Sequence, residues 1–371
     1  MKINTKSFTE QHASWLASNP VVGCPMSCEY CFLKSVKLNE IKPKILTSPK
    51  KAIDDLISFR FYSKDVPVAT GTRTDFFATL STINYLKDYI IEYNKRHLQN
   101  PLIIITKKKI PDDIIHLFTK LQNQGSTFII FLSYSGLNNT IEKGVNTIEL
   151  KNNFKRLNKA KLHVIHYWRP FVPQNSELTI MESVIKHVIK YADASVVAGL
   201  RFTPDMRGQF KFWPQVQTLN TNLDNIEGVW PRKARDNLEY LAQKYPTYPI
   251  VYASSCAIAN SLGIPDYNGF YNTQVCKINS CPTVQREICT KFFIKYVVTD
   301  AVVEKVFKKL KIKNINYTLN NKKRTLVIDE PLNHNQIAYL SQTLKISIKA
   351  KEKGNDYGWS SSLAQRKPYY I

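Results

Sequence analysis

Strand-like and helix-like stretches alternate from about residue 18 to residue 255, and this pattern constrains the fold more than any other feature. Strand-like runs at 66–70, 102–106, 127–132, 162–167, 195–200 and 249–253 end in polar or Gly-containing turns. Helical patterns fill the gaps at 50–61, 78–93, 112–123, 147–160, 179–191 and 230–244. Such alternation predicts parallel strands joined by helical crossovers. With a first strand expected at 21–23, six or seven β/α units follow. The expected fold is α/β, an open or partial (β/α)6-type parallel barrel. Chemistry in such a fold sits at the C-terminal ends of the strands.

The 371 residues suit one large domain plus a satellite. Hydrophobic residues make up 43% and aromatics 12%, so a packed core is feasible and disorder is excluded as the main state. There is no apolar run of about 18 residues, so no transmembrane helix is expected. Residues 1–20 lack a basic segment followed by an apolar one, so no secretory signal is read and the expected location is cytoplasmic.

Residues 256–290 read as a loop punctuated by Gly263, Pro265, Gly269 and Pro282. Residues 291–371 read as a small α+β extension and tail. Its expected elements are a strand at 292–298, a helix at 301–310 with Asp300 as N-cap, a strand at 324–328 and a helix at 335–344. The tail, 354–371, reads as an irregular arm. The expected organisation is thus 1–255, 256–290 and 291–371. Lys and Arg total 52 against 29 acids, a formal charge of +23. Lys outnumbers Arg by 40 to 12, which also fits a merely solvated surface. Residues 291–355 hold fourteen Lys+Arg and five acids, net +9, which points to a surface facing a polyanion.

The seven cysteines split into two groups, at 24, 28 and 31 and at 256, 276, 281 and 289. In a cytosolic chain, clustered Cys argues for metal over disulfides. Gly23-Cys24-Pro25-Met26-Ser27-Cys28-Glu29-Tyr30-Cys31-Phe32 has the spacing C-x3-C-x2-C. Three thiolates on one short loop can hold three irons of a cubane and leave the fourth open. A zinc knuckle is the competing reading, but structural zinc closes with four ligands.

At these residues the sequence resembles the radical S-adenosylmethionine (radical SAM) superfamily, including the aromatic Tyr30 before the third Cys. The resemblance implies a [4Fe-4S] cluster on Cys24, Cys28 and Cys31 with S-adenosylmethionine (SAM) chelated to the open iron. It implies reductive cleavage of SAM to methionine and a 5′-deoxyadenosyl radical that takes hydrogen from a substrate, and an electron donor such as flavodoxin or ferredoxin. The family's Gly-Gly-Glu-like stretch corresponds here to Gly71-Thr72-Arg73-Thr74-Asp75, a departure that leaves Thr72, Thr74 and Asp75 as candidate SAM contacts. Lys107, Ser133, Ser135 and Arg169, at later strand ends, are candidates for the ribose or carboxylate, with Arg169 able to pair bidentately. Tyr30 and Phe32 are candidates to border the adenine. The turn with Asp75, Ile105-Thr106-Lys107 and Ser133-Tyr134-Ser135 are most similar to the spore photoproduct lyase-like branch, which repairs a thymine lesion in DNA.

Cys256, Cys276, Cys281 and Cys289 have spacings x19, x4 and x7. They suit an auxiliary [4Fe-4S] cluster at the barrel mouth, or structural zinc. A further alternative leaves Cys276, Cys281 and Cys289 as ligands and frees Cys256 as a catalytic hydrogen donor. Gln285 and Arg286 are candidates for substrate or cluster contact. His163 and His166 share a strand but face opposite sides, so they are read as structural. Trp168-Arg169-Pro170-Phe171 is a candidate to stack a base, or is core. Trp213, Trp230 and Trp359 carry no pattern. The first expectation for substrate is a nucleic acid or nucleotide, with no membrane partner. The alternatives are dehydrogenation or cross-linking of a peptide or metabolite, and a non-catalytic zinc-stabilised nucleic-acid-binding protein.

Overall fold

The computed structural model describes residues 7–201, 206, 208–217, 219, 226–312, 315–352 and 367–371. The chain opens with strands β1 (Thr9–Gln11), β2 (Leu16–Ser18), β3 (Val21–Val22), β4 (Ser27–Cys28) and β5 (Lys44–Ile45). Helix α1 (Pro49–Ser58), β6 (Val68–Thr70), α2 (Leu80–Lys95), β7 (Leu102–Thr106), α3 (Asp112–Gln122) and β8 (Phe128–Leu132) follow. Next come β9 (Glu142–Lys143), α4 (Thr147–Lys159), β10 (His163–Phe171), α5 (Leu178–Val188), β11 (Ala194–Gly199) and α6 (Pro214–Gln217). Strands β12 (Ile226–Trp230) and β13 (Ile250–Val251) flank α7 (Arg232–Lys244), and α8 (Ser254–Leu262), α9 (Gln274–Ile278) and α10 (Thr283–Lys295) follow. The remainder holds α11 (Asp300–Leu310), β14 (Tyr317–Asn320), β15 (Thr325–Leu332), α12 (His334–Leu344), β16 (Ser347–Glu352) and β17 (Lys367–Tyr370).

The central sheet has the order β1-β2-β6-β7-β8-β10-β11-β13. Every pairing from β2 onward is parallel, and β1 is an antiparallel edge. The fold is therefore α/β, an open sheet wound as a partial (β/α) barrel with six crossovers. Apolar runs such as Leu102-Ile103-Ile104 and Phe128-Ile129-Ile130 are buried on both faces, as parallel strands between layers require. One face packs Leu102, Ile104, Ile130 and Val164 against the crossover helices. The concave face packs Ala69, Ile103, Ile129, Ile165 and Val196 against Ala257 and Ile258 of α8.

Several expectations are corrected. The first parallel strand is β2, not 21–23: Pro20 has no N–H to continue a ladder, and Val21–Val22 turns away to pair with β5. Segment 256–290 is helical, and its Gly and Pro residues mark the joints, with Gly263 ending α8 in the left-handed region at φ 63°. The boundaries at 255/256 and 290/291 both fall inside helices. The expected strand at 292–298 begins as the last turn of α10. There Gln285, Cys289 and Phe293 form one buried stripe, and helical burial overrides aromatic content. Thr299, not Asp300, is the N-cap residue of α11, and Asp300 sits in the first turn where its charge favours the helix dipole. Trp230 closes β12 instead of opening a helix, and β12 pairs with β17 from the far end of the chain. Residues 354–366 of the tail, including Trp359, lie outside the described residues.

The C-terminal elements form a three-stranded sheet, β14-β15-β16, with α11 and α12 over a core of Val303, Phe307, Leu326, Leu340 and Ile348. This unit docks on the edge strand of the central sheet. Gln11 Nε2 donates to Gln342 Oε1 at 2.9 Å, and Gln342 Nε2 donates to the carbonyls of His12 and Ala13 at 3.0 and 3.1 Å. A side chain of α12 thus meets the hairpin that would otherwise be a bare edge.

Candidate active site

The cysteine loop lies beyond the C-terminal end of β2 and is tied down on two sides. The Gly23 N–H donates to the Arg73 carbonyl at 3.0 Å, and Thr74 Oγ1 donates to the Gly23 carbonyl at 2.6 Å. Gly23 has φ +96°, in the region that favours glycine, so the chain can reverse here without strain. On the other side β4 pairs antiparallel with β9, setting Cys28 opposite Glu142.

Cys24, Cys28 and Cys31 line one cavity of about 380 Å³ at the strand ends. Burial pushes the Cys24 thiol up to about 12, the Asp75 charge adds to this, and the backbone N–H groups of Met26 and Asp75 oppose it. Cys28 is pushed up to about 12 by burial, against the pull of the Lys107 cation. Cys31 is raised by burial, against the Leu33 N–H and the cations of Lys107 and Lys34. A lysine charge near the sulfurs favours their thiolate form. Among the described residues no three His, Cys, Asp or Glu side chains converge closely enough to hold one metal ion. A zinc ion needs its ligands drawn to one point, whereas a cubane gives each thiolate its own iron. Three thiols from one short loop that line one cavity can fill the second donor set.

Eight of the nine candidate SAM contacts line this cavity: Tyr30, Phe32, Thr72, Thr74, Asp75, Lys107, Ser133 and Arg169. Several have structural partners of their own. Asp75 accepts from Thr106 Oγ1 at 2.8 and 3.0 Å, from Lys107 N at 2.8 Å and from Phe77 N at 3.0 Å. Burial raises its carboxyl pKa, and these donors oppose the shift. Thr72 Oγ1 donates to Asn19 Oδ1 at 3.0 Å. Lys107 Nζ donates to Glu142 Oε1 at 2.7 Å and to the Ser133 carbonyl at 3.0 Å. The Tyr30 hydroxyl donates to the same Glu142 oxygen. Arg169 lies 4.4 Å over the Tyr167 ring and donates to its hydroxyl at 2.6 Å. Ser135 is fully buried, accepts from Leu137 N at 3.1 Å and does not line the cavity.

The sequence reading missed part of the lining. Arg73 pairs with Glu10 at 2.6 Å, and His12 Nε2 stands 3.4 Å from the same carboxylate. Burial works to raise Glu10, but the His12 hydrogen bond and the Arg73 charge outweigh it and hold the carboxyl below its usual value. Trp15, Arg201 and His334 also line the cavity. Glu10, His12 and Trp15 precede the alternating pattern and His334 follows it, so no strand-end rule points to them. Arg73 sits inside the turn already singled out.

The second cysteine group also assembles. Burial raises the Cys256 thiol well above its usual value, and the charges of Asp266, Cys276, Cys281 and Cys289 add to this. Asp266 N donates to Cys289 Sγ at 3.4 Å, and Gln285 Nε2 donates to it at 3.6 Å. Burial pushes the Cys281 thiol up to about 11, and the Arg286 side chain opposes the shift. None of the four lines the cavity, so Cys256 is not placed as a hydrogen donor within it. The expected base-stacking run divides: Trp168 and Phe171 are wholly buried in the core, and Arg169 and Pro170 face the cavity. The two strand histidines have separate partners. His166 contacts Ser195 Oγ at 2.8 Å and the Tyr134 carbonyl at 2.7 Å, and His163 contacts Ser261 Oγ at 3.0 Å. Trp213 and Trp230 are buried core residues.

No protein-family model and no curated protein matches the sequence. Among solved structures, spore photoproduct lyase complexed with dinucleoside spore photoproduct is similar at a TM-score of 0.48 and 12% identity, over 66% of this chain and 77% of that one. Streptococcus suis SuiB bound to S-adenosylmethionine is similar at a TM-score of 0.45 and 13% identity, over 66% of this chain and 52% of that one. This chain therefore spans about half the length of SuiB.

Proposed function

We propose that this chain is a radical SAM enzyme whose cluster ligands are Cys24, Cys28 and Cys31. The observation that carries the reading is their shared place on the wall of one strand-end cavity. Bound there, a [4Fe-4S] cluster and SAM supply reductive SAM cleavage and hydrogen abstraction from a substrate. The chain's own part is to bind, orient and exclude water. Arg169 offers a guanidinium for the methionine carboxylate. Tyr30 and Phe32 border the adenine. Trp15, Ile105 and Tyr167 form an apolar floor that keeps water from the reacting atoms.

In the same reading Cys256, Cys276, Cys281 and Cys289 hold an auxiliary [4Fe-4S] cluster outside the cavity, and a flavodoxin or ferredoxin supplies electrons in the cytoplasm. The substrate we favour is anionic, a nucleotide or nucleic acid. The cavity lining holds Arg73, Lys107, Arg169 and Arg201 against Glu10 and Asp75, and residues 291–355 carry net +9. Phosphate neutralisation would appear as binding that weakens steadily with salt. Absence of nucleic-acid binding at low salt would favour the peptide or metabolite substrate instead.

The test is iron, sulfide and zinc content of anaerobically purified protein beside a Cys24/Cys28/Cys31 triple Ala variant, with SAM cleavage assayed under reductant. About eight irons falling to about four, with cleavage lost, supports two cubanes on separate ligands. Zinc without iron, and no cleavage, would replace the reading with a zinc-stabilised binding protein.

A further inference from the structure

One buried charge pair stands against the cysteine loop. Glu142 is 2% exposed, and its strand β9 is zipped to β4, opposite Cys28. Its Oε1 takes the Lys107 ammonium at 2.7 Å and the Tyr30 hydroxyl. Lys107 comes from the end of β7, also donates to the Ser133 carbonyl at 3.0 Å, and stands 5.6 Å over the Tyr30 ring. Tyr30 lies between two of the three cysteines. The Lys107 and Glu142 side chains are 12% and 3% exposed, so solvent screens neither charge well.

We propose that Lys107 and Glu142 are positioning residues that set the reduction potential of the cluster on the cysteine loop, Lys107 raising it and Glu142 lowering it. The proposal rests on the radical SAM reading. Reduction would add a negative charge to a site of low dielectric, where a fixed buried charge acts strongly. The lysine favours that added charge and the glutamate opposes it. Paired, they nearly cancel, and deleting either leaves the other uncompensated.

The experiment is a redox titration of the cluster by electron paramagnetic resonance, with iron content measured for each protein. Glu142→Gln is expected to shift the potential upward and Lys107→Met downward. Lys143→Gln is the control. It removes a charge from the neighbouring residue, but that side chain is 57% exposed and paired with Glu29 at 2.7 Å, so no shift is expected. No shift in either buried variant, shifts of the same sign, or a control shift as large as theirs would overturn the proposal. If one variant loses its iron, the sign of the other decides. Loss of iron from both with thermal stability retained would overturn it in favour of a purely holding role. Wild-type protein without iron would instead remove the radical SAM reading beneath it.

Discussion

Asp75 shows how one side chain joins two strand ends. From the turn that follows β6 it accepts from Phe77 N in its own turn and from Thr106 Oγ1 and Lys107 N at the end of β7. Replacing it with Ala strands those donors in a buried setting, each at a cost of about 1–3 kcal/mol. Asp75→Ala is therefore expected to lower the urea midpoint with an unchanged slope, and an unchanged midpoint would show that water replaces the carboxylate. His166 makes a second residue-scale prediction. Burial lowers its pKa from 6.5 to about 3, against the Tyr134 carbonyl, which favours the charged form. The unfolded chain therefore binds a proton that the folded chain refuses between those values. Stability is full above about 6.5 and falls as pH drops through that window, by up to about 1.4 kcal/mol per unit. Urea unfolding at pH 7.5 and 5.0 should show this loss, and His166→Gln should reduce the difference between the two. An equal loss in both proteins would place the acid sensitivity elsewhere.

At the scale of elements, α8 matters most. Its Ala257 and Ile258 fill the concave face of the sheet, beneath the cavity floor made by Trp15 and Tyr167. Ile258→Ala is expected to cost about 2–5 kcal/mol through the cavity it leaves, measured by chemical denaturation. A cost below about 1 kcal/mol would mean that α8 slides inward to close the gap. Gly269 joins this segment to the C-terminal unit. It has φ +71°, and an added Cβ would lie 2.3 Å from the Ile346 carbonyl oxygen. Because the obstacle is backbone, Gly269→Ala should lower the melting temperature by several degrees, roughly as a 1–3 kcal/mol strain does.

The whole molecule is held by contacts between its two ends. Gln342, from α12, reaches the β1–β2 hairpin through three hydrogen bonds, and His334 and Asn335 from the same helix line the cavity. Gln342→Ala is expected to increase amide hydrogen exchange at residues 9–13, because the hairpin opens more readily once the Gln11 side chain and the His12 and Ala13 carbonyls lose their partner. Unchanged exchange there would show that the apolar core holds the unit without Gln342.

The strand-end turns and the C-x3-C-x2-C loop were legible in the sequence because their information is local. Periodicity reports which residues face a core, and three thiols within one stretch of eight residues must share a loop. The helices at 254–295 were hidden because Gly and Pro mark joints as readily as loops. The Glu10–Arg73 and Lys107–Glu142 pairs, the filling of the concave face by α8 and the pairing of β12 with β17 join segments 35 or more residues apart. No local pattern encodes which distant partner a buried charge, an apolar helix face or a strand edge will meet. That choice belongs to the packed chain, because a buried charge must find its counter-charge and an apolar face its cover wherever the fold brings them together.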